Sequence, residues 1–258
     1  MGKRSPESSQ PSANVSSLTA RKPTSAVNGD DLEGKRRRTR EIATLLDETY
    51  GPCPWRRHLP PVDELVATIL SQHTSDTNTE RAFASLRARF PTWQSVIEAQ
   101  TAEVVEAIKT GGLANQKGPR IQAALASILE RYGSFDLDRL ARLSVQEARS
   151  ELTEIHGVGA KTASCVLLFS LGMPAMPVDT HVFRVTKRIG IIDERRSADD
   201  AHHILESQLE GSRDETYAFH MHLIRHGRTV CTARQPFCNR CSLLKRCIYG
   251  QSNATITS

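Results

Sequence analysis

Residues 152–189 read LTEIHGVGAKTASCVLLFSLGMPAMPVDTHVFRVTKRI, and the order of the parts in this stretch decides the fold. Just before it, Ser144-Val145-Gln146-Glu147 forms a capping box, which opens a helix running to about Ile155. His156-Gly157-Val158-Gly159 interrupts that helix, and a second one starts at Ala160 and closes near Gly172 and Pro174. Two helices joined by Gly157-Val158-Gly159 make a tight hairpin. Its glycines allow backbone conformations closed to other residues and let a ligand approach the main chain. The unpaired N–H groups of the second helix then point outward, where they can hold a phosphate oxygen without reading sequence. An ordinary helix–helix turn uses the same residues, so the hairpin alone names no ligand.

Pro177-Val178-Asp179-Thr180-His181-Val182 opens a further helix that ends at Gly190. Asp179 sits where an N-cap belongs, and one of its oxygens can cap while the other faces a cleft. Lys161 lies in the first turn of the preceding helix, where the dipole disfavours a cation. The dipole and desolvation favour the uncharged amine that a nucleophile requires, whereas a nearby Asp179 opposes them.

Outward from this centre the pattern is helical almost throughout. Ile42, Leu45 and Leu46 make one apolar face, Leu65, Val66, Ile69 and Leu70 another, and Ala82, Phe83, Leu86 and Phe90 a third. Val104 to Ile108 end at Gly111-Gly112, and Ile121, Leu125, Ile128 and Leu129 end near Gly133. No run alternates as a strand would. The expected fold is all-α, in helices of roughly 8–16 residues joined by short loops.

The formal charge of +5 is unevenly placed. Residues 1–40 hold nine basic and four acidic residues, leaving a neutral body, so the high pI is not itself a nucleic-acid footprint. Within that body, residues 217–258 carry Arg225, Arg228, Arg234, Arg240, Lys245 and Arg246 and no carboxylate. One basic end on an otherwise acidic body calls for an anionic partner. Aromatic residues make up only 5% of the chain, which argues against binding single strands by base stacking. No apolar run approaches the ~18–20 residues of a membrane span, and no apolar secretory signal opens the chain. The expectation is therefore a cytoplasmic protein with no membrane contact. Residues 1–30 are rich in Ser and Pro and should be disordered. The basic run Lys35 to Arg40 reads as a solvated leader into a helix, or as a loose tether to DNA.

Four of the six cysteines, Cys231, Cys238, Cys241 and Cys247, fall within 17 residues. Carried on short loops, four thiolates can close round one metal centre, and the spacing leaves zinc and an iron–sulfur cluster both open. Cys53 and Cys165 are lone thiols, the second of them a core residue.

Taken together, HGVGAKTA, VDTHVFRV and the C-x6-C-x2-C-x5-C loop resemble the helix-hairpin-helix DNA glycosylases, and within them the endonuclease III branch, over roughly residues 40–250. The resemblance implies two helical domains with a cleft between them: residues 60–174 as a helical barrel carrying the hairpin, and residues 36–59 with 175–250 as the cluster domain. Residues 1–35 and 251–258 would be tails. It implies a [4Fe–4S] cluster on Cys231, Cys238, Cys241 and Cys247. It also implies a bifunctional glycosylase and abasic-site lyase that removes oxidised pyrimidines from duplex DNA, working as a monomer in the cytoplasm, on the nucleoid in a bacterium. Lys161 and Asp179 would be the catalytic pair. Gly157, Val158, Gly159 and His181 would contact DNA backbone, Leu113 would wedge into the duplex, and Gln72 or His73 would fill the gap left by the flipped base. Asp76 would wall the base pocket.

Three positions depart from the family pattern: His73 where a gap-filling Gln is usual, His156 where Pro is, and Thr153 where an acidic residue is. The competing readings are an adenine-type monofunctional glycosylase, which would lack the lysine, and a non-catalytic DNA-binding module, which would need neither Lys161 nor Asp179.

Overall fold

A computed structural model describes Gly2 and residues 29–254. Among the described residues there is no strand. The helices, in order, are α1 (Gly29–Tyr50), α2 (Pro61–Leu70), α3 (Asp76–Arg89), α4 (Trp93–Glu98), α5 (Thr101–Ala107), α6 (Ala114–Tyr132), α7 (Val145–Thr153), α8 (Ala160–Cys165), α9 (Thr180–Ile189), α10 (Ala198–Leu209), α11 (Arg213–Thr229) and α12 (Ile248–Ala254). None is long and apolar enough to cross a membrane.

The apolar faces close into two separate cores. One gathers Leu65, Ile69, Leu86, Val104, Ile121, Leu125, Leu152 and Ala163 from α2 to α8. The other gathers Ile42 and Leu46 of α1 with Val182, Val185, Leu205, Phe219 and Leu223 of α9, α10 and α11. Ala175 belongs to the first and Met176 to the second, so the chain crosses between lobes at that peptide. A third, small cluster of Cys165, Leu168, Phe169 and Tyr217, with Cys53 and Trp55 against it, fills the seam.

The helix after the hairpin differs from expectation. Only Ala160–Cys165 is α-helical, and Val166–Ser170 widens into a π-turn. The carbonyls of Leu168 and Phe169 then have no helical partner. They are taken by Trp55 Nε1 at 2.7 Å and His58 N at 3.0 Å, from the proline-rich segment after α1.

Both expected tails need correction. Residues 1–28, Gly2 apart, lie outside the described residues, but residues 29–35 are the first turns of α1. Lys35 pairs with Asp31 at 2.5 Å and Arg40 with Glu33 at 2.9 Å, supporting a helix start that composition alone hides. At the other end, residues 251–254 belong to α12, where Gln251 Nε2 donates to Lys245 O at 2.7 Å. Two members of the basic run are also engaged within the protein. Arg36 pairs with Glu210 at 2.5 Å, and Arg38 donates to the carbonyls of Ile189 and Arg246, each at 2.8 Å.

A buried polar network ties the lobes together. Arg149 of α7, only 6% exposed, pairs with Glu206 of α10 and donates from Nε to Ser164 Oγ at 3.3 Å. The same carboxylate accepts Met176 N at 2.8 Å, and His202 Nδ1 donates to Met176 O at 2.7 Å. Removing one partner leaves an uncompensated buried charge, so Arg149→Ala is expected to cost about 3–5 kcal/mol in urea unfolding. The double variant Arg149→Met/Glu206→Leu should lose clearly less than the two single losses combined. Additive losses would mean the pair is not coupled.

Candidate active site

The hairpin forms as the sequence dictates locally. Ser144 Oγ accepts Glu147 N at 3.2 Å while Ser144 N donates to the Glu147 carboxylate at 2.9 Å, closing the capping box of α7. Beyond α7, Ile155 and Val158 are driven into the core, which throws residues 156–157 outward. Gly157 has φ +77°, and a Cβ there would meet Arg120 Cγ at 2.9 Å, so both its conformation and its packing require glycine. Gly159 is extended and open to solvent, placing the unpaired N–H groups of α8 on the surface.

Lys161, like Ala160 before it, is half-buried, and from Thr162 to Cys165 the helix is buried. Asp179 caps α9, its Oδ1 accepting Val182 N at 2.7 Å, and Oδ2 is not used in the cap. Lys161 and Asp179 act electrostatically on the same two buried side chains. Burial pushes the Cys165 thiol up to about 11, with Lys161 pulling it down and Asp179 adding to the rise. Burial pushes His220 down to about 4, with Asp179 opposing and Lys161 reinforcing. Because such influences fade over a few ångströms to about ten, Lys161, Asp179, Cys165 and His220 share one neighbourhood at the seam. His220 Nδ1 also lies 3.0 Å from Pro177 O and so braces the segment leading into Asp179.

Sequence reasoning missed a further member. Glu64 of α2 is 7% exposed, and burial raises its carboxyl to about 7, against a Thr68 hydrogen bond and the Lys161 charge, which lower it. Its signal was available: a carboxylate set between Val62 and Leu65-Val66 on an apolar face.

The loops expected to enter DNA are brought to one side. Leu113, 47% exposed, precedes α6 with φ +50°, and the exposed His73 has φ +55°. Gln72 is held, with its Oε1 accepting Arg120 NH1 at 2.8 Å, while Arg120 Nε donates to Gly157 O at 2.9 Å. Arg120, which no sequence motif marks, therefore joins this loop to the hairpin. Asp76 opens α3 and makes a two-pronged pair with Arg228 of α11, at 2.8 and 3.2 Å, across the lobes. His181 accepts from Arg184 at 3.1 Å, and Arg184 also donates to Gly227 O and Cys231 O. Thr153 is exposed and bonded only to its own helix, at Ser150 O.

Cys231, Cys238, Cys241 and Cys247 all line one small cavity, walled by Ile189, His226, Leu243 and Tyr249. Among the described residues no group of three or more His, Cys, Asp or Glu is arranged to hold a single metal ion. Gly250 N donates to Cys247 Sγ at 3.3 Å, and Arg188 NH1 to Cys231 Sγ at 3.5 Å. Outside this loop, Cys53 is partly exposed and Cys165 is buried in the seam.

A family model described as HhH-GPD superfamily base excision DNA repair protein matches residues 66–210, which sets the class. The chain is 45% identical over 129 residues, half its length, to "Putative DNA glycosylase At3g47830" of Arabidopsis thaliana, and spans 44% of that protein. Endonuclease III of Rickettsia felis is 36% identical over 190 residues, 73% of this chain and 83% of the relative. A solved non-covalent endonuclease III–DNA complex matches with a TM-score of 0.73 at 27% identity, covering 85% of this chain and 98% of that one. This chain belongs to the endonuclease III family.

Glu64 makes stability depend on pH. Its folded-state carboxyl titrates near 7, above its ordinary 4.5, so its contribution is fully present below 4.5 and is lost as the pH rises through 7. Relative to Glu64→Gln, the unaltered protein should be equally stable near pH 4.5 and weaker by roughly 3 kcal/mol at pH 9. Denaturant titrations at the two pH values would refute this with a pH-independent difference.

Proposed function

We propose that this protein excises oxidised pyrimidines from duplex DNA and cuts the strand at the resulting abasic site, with Lys161 as nucleophile and Asp179 as the carboxylate that serves it. Family membership makes it a DNA glycosylase of base excision repair. The observation that carries the residue assignment is placement: Lys161 opens α8 in one lobe, Asp179 caps α9 in the other, and the buried Glu206–Arg149 pair links Ser164, three residues beyond the lysine, to Met176, three residues before the aspartate. That neighbourhood lies beside a hairpin whose backbone donors face solvent. Departure of the base builds positive charge on the sugar, which the Asp179 carboxylate stabilises. The Lys161 amine bonds to C1′ as the N-glycosidic bond breaks and the base leaves with a proton; loss of the C1′ ring oxygen bond gives an imine. The imine acidifies C2′–H, and removal of that proton breaks the C3′–O bond, releasing the 3′ phosphate.

The surrounding residues fit this reading. Gly157 and Gly159, anchored by Val158, present main-chain donors to a phosphate, and His181, in the first turn of α9, adds a second contact to the backbone. Leu113 and the His73 loop fill the space of the extruded base, and Asp76 borders its pocket. A barrel of residues 60–174 and a second domain of 36–59 with 175–250 is supported by the two buried cores and the crossing at Met176. Cys231, Cys238, Cys241 and Cys247 would hold a [4Fe–4S] cluster: four soft thiolate donors surround one cavity, with N–H donors beside two of the sulfurs. Such a cluster would shape the loop that carries the exposed Arg240, Lys245 and Arg246 toward the DNA backbone. The protein works as a monomer where the DNA lies, in the cytoplasm and, if the cell is bacterial, on its nucleoid.

Borohydride should trap a covalent adduct between the protein and abasic DNA. Lys161→Gln should abolish that adduct while leaving duplex binding, and Asp179→Asn should slow excision by about 10²-fold or more. An unaltered protein that forms no adduct, or full turnover in Asp179→Asn, contradicts the assignment. Elemental analysis should find iron and sulfide in equal amounts, about four of each per chain. A colourless protein with one zinc overturns the cluster.

A further inference from the structure

We infer that Lys117 and Arg120 are positioning residues that clamp the two duplex-entering loops to the hairpin as one unit. The inference rests on the proposed entry of Leu113 and the His73 loop into DNA.

Lys117 lies on α6 and is only 3% exposed. Its ammonium donates to Leu70 O at 2.7 Å and to Gly111 O at 2.8 Å. Leu70 is the last residue of α2, and Gly111 ends the 3-10 turn before Leu113. One buried cation thus fastens the roots of both loops, 41 residues apart in the chain. Among the described residues it pairs with no carboxylate, and its bonds run to main-chain oxygens. Burying an ammonium on such terms is expensive, and an apolar side chain would fill the space at less cost. Burial also pulls its pKa down, in keeping with a strained placement.

Arg120 follows three residues later on the same face. Its guanidinium spans Gly157 O of the hairpin and Gln72 Oε1 of the first loop. The two cations therefore join three chain segments that no single helix connects. The loops they support carry two of the three left-handed non-glycine residues among the described residues. Leu113 and His73 both adopt left-handed backbone conformations with φ near +50°, which a non-glycine residue holds only where its surroundings fix it. A shared clamp holds both loops at one separation, as a pair acting on either side of an extruded base requires.

The clamp acts on duplex opening rather than on bond cleavage, and the test separates the two. Arg120→Ala, with Lys117→Met as a second variant, would be compared with the unaltered protein. Both would first be checked by circular dichroism and then assayed on duplex DNA carrying one oxidised pyrimidine opposite 2-aminopurine. Excision should fall about tenfold, equivalent to ~1.4 kcal/mol, with a matching loss of the 2-aminopurine fluorescence rise that reports unstacking. Borohydride trapping on single-stranded abasic DNA, where nothing need be opened, should stay within about twofold of the unaltered protein. Equal losses on both substrates in either folded variant, or unchanged duplex excision in both, overturn the clamp. Failure of the unaltered protein to form an adduct on either substrate overturns the repair reading itself and removes the basis of the clamp.

Discussion

The carboxylate of Glu206 is the interaction on which the rest depends. It accepts Arg149 from one lobe and the Met176 amide at the point where the chain enters the other. Arg149 in turn reaches Ser164, three residues beyond Lys161, while Met176 lies three residues before Asp179. His202 and His220 hold the carbonyls of Met176 and Pro177 on the same segment. The lysine and the aspartate belong to helices of different lobes, and hydrophobic burial within each lobe cannot set the distance between them. A directional, buried polar network can, because its members tolerate little displacement before a charge is left unpaired.

That arrangement also sets the electrostatics of the groove. Glu64, Cys165 and His220 are buried around Lys161 and are all driven toward their neutral forms. Burial thus favours the neutral thiol and the neutral imidazole, and it holds Glu64, which also feels the Lys161 charge, partly protonated near neutral pH. Asp179 is kept in place by Val182 N, so its cap and its proposed role draw on different oxygens.

What was legible in the sequence was local. The capping box at Ser144, the Gly157 turn and the N-cap at Asp179 each depend on residues within a few positions of one another, and each formed as read. The helical periodicity failed at Val166–Ser170, where the carbonyls of Leu168 and Phe169 find partners in the segment before α2, and it understated the lengths of α1 and α6. The long-range links were illegible for the same reason. Nothing near Lys117, Arg120 or Arg228 in the chain predicts Leu70, Gly157 or Asp76 as partners, and each looks like an ordinary solvated charge. Arg36 and Arg38 looked like members of a free basic run because Glu210 and Ile189 lie more than 150 residues away.

The loop after α2 illustrates how such a link alters the meaning of a residue. Read along the chain, Gln72 and His73 are interchangeable candidates for the space of a flipped base. In the folded protein they are not equivalent, because Gln72 is committed to Arg120, and through it to the hairpin. His73 is exposed, has no hydrogen bond among the described residues, and takes a left-handed backbone. A glutamine bound to a guanidinium must surrender that bond to enter a duplex, whereas the imidazole next to it surrenders none. Its ring can stack on neighbouring bases as well as donate a hydrogen bond. The departure from the usual glutamine thus coincides with a division of labour within the loop: Arg120 commits Gln72 to the hairpin and leaves the neighbouring His73 exposed.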